Sequence, residues 1–359
     1  MTHAMSSLLP PCWLASSPCT EAGAPACSLS LPANTTIIFP VLQSGLLGIS
    51  AALLSLLGTL ANSLLICGLL ASPRIRGLVT TPFILSVLVS DLLFSLLLLP
   101  TQAARFLSRD WSRALGPEEG PLCQAYPLLL YTVQGATVLS LTCVSLNRAA
   151  VLYWGLSAES VFRRFLTPLL LVLCWLLPLV NLLPSLAGAY GKVTLKRYTQ
   201  TCTIVSLQEN GSDPKRILYF FFFFPALVLL VASNIFTLVR VKAVVGAITQ
   251  RLDKRRENMF VTMLCLSFLT WLLSVGPFIL VDSLLDPCFQ RPGLHAMAYI
   301  INWTKVVANP AIFLLMDRGF LRAVRSLVRR MTCRKAEEES EARDVTISGY
   351  HSRRSRESR

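Results

Sequence analysis

Long apolar runs separated by short polar connections set the pattern of this chain. Seven stand out, over residues 46–70, 83–99, 122–153, 165–185, 217–239, 259–281 and 295–316. Each approaches or exceeds the length a helix needs to cross the ~30 Å hydrocarbon core of a bilayer. Backbone polar groups find no water there, so each run is predicted to be helical. The third run carries the most chemistry, with Cys123 at its start and Asn147-Arg148 near its end. Tyr126, Tyr131, Gln134 and Thr137 lie between them. At about 1.5 Å per residue, Cys123 and Arg148 stand roughly 37 Å apart, one at each membrane face. One such run fits a buried core helix; seven do not.

The pattern therefore predicts an all-α membrane protein, a seven-transmembrane helix bundle with no visible internal repeat. Composition agrees: of 359 residues, 53% are hydrophobic and 14% charged, against ~25% charged in soluble domains. Residues 1–40 read as a Pro/Ser/Ala-rich outer tail and 41–317 as the bundle. Residues 318–333 alternate arginine with apolar side chains at helical spacing, which suits an amphipathic membrane-surface helix. Residues 334–359 turn polar and read as a disordered cytoplasmic tail.

Charge adds the orientation. Most of the 33 Lys and Arg residues fall on the cytoplasmic side if the N-terminus is extracellular. The net charge of +14 is then accounted for by topology and the anionic inner leaflet, which leaves no need for nucleic acid as a partner. The sequons at Asn34 and Asn210 both fall outside in this orientation, whereas that at Asn302 lies within a span and should stay unmodified. No Lys or Arg precedes Arg74, so a cleaved signal peptide with a basic start is not predicted.

Cys67, Cys143, Cys174 and Cys265 lie within spans and read as small packing residues. Cys123 and Cys202 face an oxidising compartment that favours a bridge. Cys12, Cys19, Cys27 and Cys288 are also outside, and their pairing is not legible from sequence.

Over residues 40–335 the chain resembles the rhodopsin-like (class A) G-protein-coupled receptors. The resemblance rests on Asn62, Leu85, Asp91, Trp111, the Cys123/Cys202 pair, Arg148, Trp175, Pro225, Pro277 and Asn309-Pro310, in that order and spacing. The stretch from Leu122 to Tyr131, followed by Asn147-Arg148, is similar to the Moody/Trapped-in-endoderm receptors and their vertebrate fatty-acid-sensing relatives. It implies a plasma-membrane, multi-pass receptor without cofactor. A heterotrimeric G protein and arrestin would be its partners, and a small-molecule or lipid ligand its trigger. The Cys123–Cys202 disulfide is part of what it implies, as is coupling through Asn147, Arg148, Leu156, Glu257, Pro277, Asn309, Pro310 and Phe313.

The departures from the family pattern are specific. Asn147 stands where an acid usually precedes the arginine, Ala149 where a tyrosine follows, and Phe313 where a tyrosine hydroxyl is usual. Asn147 cannot ion-pair with Arg148, so Glu257 at the start of the sixth run is the candidate restraint, unless it simply pairs with its basic neighbours. Kinking at Pro277 would release Arg148. An alternative is a drifted receptor fold with weak or no G-protein signalling, serving as an adhesion or decoy protein.

Asp91 and Lys305 are opposite charges within spans, costly unless paired. In many receptors of this class the second-helix aspartate binds sodium; here Lys305 is predicted to replace that ion, with Thr137 and Asn309 completing the site. The ligand region is read around Arg105, Tyr126, Leu130, Tyr131 and Gln134. Leu130 occupies the place of the amine receptors' carboxylate, so a cationic amine lacks its counter-ion. A basic mouth (Arg105, Arg109, Arg113, Lys192, Lys196, Arg197, Lys215 and Arg216) favours an anionic or lipid-like ligand. Cys333 is a candidate palmitoylation site, and tail serines from Ser340 to Ser358 suit phosphorylation for arrestin.

Rival classes fare worse. No metal-ligand spacing or Gly-rich phosphate loop is present, and the three histidines do not cluster, so an enzyme is not predicted. A transporter's paired repeats are missing. Trp303, not lysine, occupies the position of the opsins' retinal-binding residue.

Overall fold

Each apolar run becomes a helix, and proline decides where several of them begin and bend. The computed structural model describes residues 39–110, 114–117, 120–189, 191–196, 199, 201–206, 215, 219, 223–245, 251–284, 292–316, 318–330 and 332. Helix α1 spans Val41–Ala71. Helix α2 runs from Thr81 to Ser108, with a π-turn at Phe94–Leu98. Helix α3 is Pro121–Trp154, and α4 runs from Leu156 to Leu186 through a π-turn at Phe162–Leu166. Helix α5 is Phe224–Val245, α6 Arg251–Ile279, α7 Pro292–Met316, and α8 covers residues 318–330. Six of these are long and apolar enough to cross a membrane; α5 contributes the shorter apolar stretch Phe224–Thr237.

Two of the π-turns have a common cause. Pro100 and Pro168 each lie two residues beyond one; another, Leu280–Leu284, lies on the far side of its proline and begins three residues after Pro277. Proline deletes a backbone donor and crowds the carbonyl one turn back, and a wider turn absorbs the mismatch. The extra residue rotates whatever follows; beyond the first turn it leaves Gln102 and Arg105 buried.

Helix α3 is the axle. It packs against α2, α4, α5 and α6, and its apolar stretch is 83% buried, against 28% in α1 and 22% in α4. Leu53, Leu56 and Leu60 on α1 and Leu169, Val172 and Leu176 on α4 are exposed. In water such faces would drive association; against acyl chains they are at home. Gly58 allows α1 its approach to α7, since a Cβ there would come within 2.6 Å of Val306 Cγ2.

One element departs from the all-helical expectation. The connection between α4 and α5 forms a hairpin, β1 (Gly191–Lys196) against β2 (Thr201–Ser206), antiparallel, with Leu195 opposite Cys202.

Candidate functional site

The hairpin is a lid, and three fastenings hold it. Cys202 on β2 is bonded to Cys123 near the start of α3, with their Cα atoms 5.3 Å apart. From α2, Arg105 donates to the Thr199 carbonyl and, at 2.5 Å, to Thr201 Oγ1. From the end of α6, Asp282 accepts from Lys215 Nζ at 2.9 Å and faces Lys196 Nζ of β1 at 3.7 Å. The π-turn after Pro277 presents Asp282 to them.

These contacts correct the basic mouth predicted above. Arg105 belongs to α2 rather than an open loop, and it is fully buried. Its Nε donates to Gln102 Oε1 at 2.6 Å, and Gln102 in turn donates to the Tyr126 hydroxyl. Its guanidinium lies 3.9 Å from the Phe106 ring centroid and 5.1 Å from that of Tyr299. Lys196 and Lys215 are engaged by Asp282, an acid just beyond the predicted end of the sixth run. Lys192 remains exposed. Arg113, Arg197 and Arg216 lie outside the described residues.

Below the lid, Tyr126, Leu130 and Gln134 recur every four residues on one face of α3, all buried. Both polar atoms of the Gln134 amide lack a hydrogen-bond partner among the described residues, as do Arg105 Nη2 and Trp271 Nε1. Aromatic rings join the helices around this space. Tyr131 meets Tyr219 at 6.2 Å, Tyr219 meets Phe223 at 5.6 Å, and Phe223 stacks on Trp271 at 6.1 Å.

At mid-bundle, Asn309 donates to Asp91 Oδ2 at 2.7 Å. Asn62 donates to the Val306 carbonyl at 2.9 Å and ties α1 to α7. Ser86 accepts from Trp175 Nε1 at 2.9 Å and stands 2.9 Å from Ser140 Oγ, linking α2, α3 and α4. The predicted ion pair does not form: Lys305 makes no salt bridge with Asp91, whose Oδ1 has no partner among the described residues. Lys305 Nζ lies 4.5 Å from the Phe94 ring centroid instead, a cation–π contact that a desolvated ammonium favours. Thr137 donates to its own helix, at the Val133 carbonyl, and does not complete the polar site.

At the end of the bundle away from the hairpin, Asn147 is buried, and its Nδ2 has no partner among the described residues. Arg148 is half-buried beside it. Ser145 and Asn234 bring α3 to α5 at 3.3 Å. Pro277 is half-buried within α6 and Pro310 buried within α7. Phe313 is fully buried and stacks on Phe320 of α8 at 6.0 Å. The Glu257 and Leu156 side chains, Asn34, Asn210 and Cys333 lie outside the described residues.

A seven-helix bundle with a buried Asp91–Asn309 link, a disulfide-fastened hairpin at one end and Arg148 at the other is a receptor architecture. The family model for the seven-transmembrane receptors of the rhodopsin family matches residues 61–313, and the chain belongs to that family. It is similar to protein trapped in endoderm-1 of Drosophila melanogaster, 28% identical over 313 residues that cover 80% of this chain and 78% of that one. It is also similar to the G-protein coupled receptor moody of the same species, at 24% identity over 371 residues and 83% of this chain. There it spans about half, 54%, of the relative's length. A crystal structure of squid rhodopsin shares the fold, with a TM-score of 0.67 at 17% identity over 80% of each chain. The chain is thus a membrane receptor of the G-protein-coupled class and not an enzyme.

Sequence reasoning missed Gln102, Asp282, Tyr299 and Ser86. The first two had a legible signal: each follows a span proline closely, where a wider turn redirects side chains.

Proposed function

We propose that this chain is a plasma-membrane receptor, N-terminus outside, that senses an amphiphile with an anionic head and an apolar body beneath the hairpin lid. Arg105 carries this reading. Its guanidinium is buried among aromatic rings, yet Nη2 keeps donors without a partner among the described residues. A carboxylate reaching it would gain a charge-assisted bond in a dry site. The apolar body would run along the Tyr126–Leu130–Gln134 face, roughly 12 Å from first to last. No acid stands on α3 to receive an amine.

Ligand entry would shift α6 about Pro277 and free Arg148 for a heterotrimeric G protein, with Leu156 contributing to that contact. Phosphorylated tail serines would then recruit arrestin. Glycans at Asn34 and Asn210 and a palmitate at Cys333 complete the proposed mature receptor.

The experiment is guanine-nucleotide exchange on purified receptor with a panel of aliphatic carboxylates of graded chain length. Receptor response should pass through an optimum length, and Arg105→Gln should weaken potency more than Lys192→Gln. A receptor answered only by neutral or cationic compounds, with Arg105→Gln silent, would overturn the ligand class.

A further inference from the structure

Two cysteines expected only to fill space meet inside the bundle. The sulfurs of Cys143 on α3 and Cys174 on α4 stand 3.8 Å apart, and both side chains are buried. The two thiols share one S–H hydrogen bond, with either sulfur as donor. Among the described residues the other free thiols are Cys67 on α1 and Cys265 on α6.

The surroundings hold the pair in place. Ser140, three residues before Cys143 and so on the same side of α3, lies 2.9 Å from Ser86 Oγ of α2. Trp175, next to Cys174 on α4, donates to the same Ser86 oxygen at 2.9 Å. One hydroxyl of α2 thus fixes the neighbours of both thiols, and with them the spacing of α3 and α4. A disulfide needs its sulfurs about 2.05 Å apart. The gap to close is therefore under ~2 Å, on the scale of a χ1 rotation.

The setting favours that bond over the other chemistry open to two thiols. A metal held by thiolates would bring charge into a low-dielectric interior, which is costly. A cystine is neutral and leaves no donor to satisfy. A single thiol in such surroundings is inert, because the thiolate is the nucleophile. In this pair each sulfur has a proton acceptor and a resolving partner at contact distance.

We propose that Cys143 and Cys174 form a peroxide-reactive dithiol that closes to a disulfide and staples α3 to α4. Cys143, at 7% exposure against 1% for Cys174, meets the peroxide first. Its sulfur attacks one peroxide oxygen, the O–O bond breaks and a sulfenic acid forms. The thiol proton leaves with the other oxygen, as water from hydrogen peroxide or as an alcohol from a lipid hydroperoxide. The Cys174 sulfur then attacks the sulfenic sulfur, an S–S bond replaces the S–O bond, and the hydroxyl departs as water with the second thiol proton. Two thiols lose two electrons and one peroxide gains them. Cys143 stands one turn before Asn147, so the staple anchors the part of α3 that carries Arg148. It is remote from the hairpin lid and does not depend on the proposed ligand.

Full-length receptor in nanodiscs, exposed to aqueous hydrogen peroxide or to a phospholipid hydroperoxide within the bilayer, tests the proposal. Dimedone is present to trap sulfenic acids, and peptides are mapped after alkylation without reductant. The Cys143 and Cys174 peptides should be recovered as one cross-linked species lacking two hydrogens. The thermal midpoint should rise by a few degrees, since the bridge joins positions 31 residues apart. That rise should vanish in Cys143→Ser and in Cys174→Ser. Either peroxide giving the cystine supports the proposal, and the faster one names the source. Both thiols recovered free under peroxide that traps Cys67 or Cys265, or separate dimedone adducts at the two positions, would overturn it. A bridge that forms and leaves the midpoint unchanged would overturn the stapling role.

Discussion

Asn309 on α7 donates its side-chain amide to the Asp91 carboxylate on α2 at 2.7 Å, and both residues are wholly buried. The second Asp91 oxygen has no partner among the described residues. Lys305, one turn before Asn309, rests on Phe94 rather than closing on that oxygen. Two opposite charges thus sit in one low-dielectric interior without touching, an arrangement in which each still senses the other.

Removing one charge strands its counterpart. Asp91→Asn and Lys305→Met should each lower the thermal midpoint of the purified receptor. The double variant should lose less than the sum, by on the order of 1 kcal/mol. Strictly additive losses would show that the charges are not coupled.

Agonist affinity should not respond to sodium, because Lys305 already supplies a cation near Asp91. Potassium serves as the ionic-strength control. A fall in affinity specific to sodium would show that Asp91 takes a metal ion despite the lysine.

The lid should open from any of its three fastenings. Arg105→Ala leaves the Thr199 carbonyl without its donor, and Asp282→Asn leaves Lys215 buried without its counter-charge, a loss of about 1–3 kcal/mol in each case. Amide exchange across residues 191–206 should quicken in both variants and stay unchanged in Lys192→Ala. Cys202→Ala removes a native bridge worth about 2–5 kcal/mol and should sharply reduce surface expression. Unaltered exchange in the Arg105 and Asp282 variants would mean that the hairpin does not rely on them.

The helices were legible because a bilayer leaves the backbone no alternative; the run 122–153 matches α3 to within one residue at each end, whereas the runs 83–99 and 165–185 miss nine residues at one end of α2 and α4. Ends were harder: the sixth run closes at 281 by hydropathy, which cut off Asp282 and with it the partner of Lys196 and Lys215. Arg105 was misplaced for a related reason. Beyond Pro100 the chain turns polar and reads as loop, yet Gln102 and Arg105 are helical and rotated inward by the π-turn. The hairpin gave no alternating pattern strong enough to separate it from irregular loop. Lys305 was placed correctly on the Asp91 side of the bundle, but composition says nothing of rotamers, and an aromatic ring captured the ammonium.

Basal activity follows from Asn147, which is buried beside Arg148 and brings no charge to restrain it. Asn147→Asp should lower ligand-free exchange, and Glu257→Ala should raise it, at matched surface expression. No movement in either variant would place the restraint elsewhere.

The central claim is that this chain passes an outer-face signal through Arg148 to a G protein. Guanine-nucleotide exchange by purified receptor, run against each G-protein class, tests it most directly. Wild-type receptor should accelerate exchange on at least one class, and Arg148→Ala, folded and lid-bonded, should bring the rate to that of G protein alone. Exchange at the uncatalysed rate with every class, with or without the carboxylate panel, would contradict the account and leave a receptor fold that does not signal through G proteins.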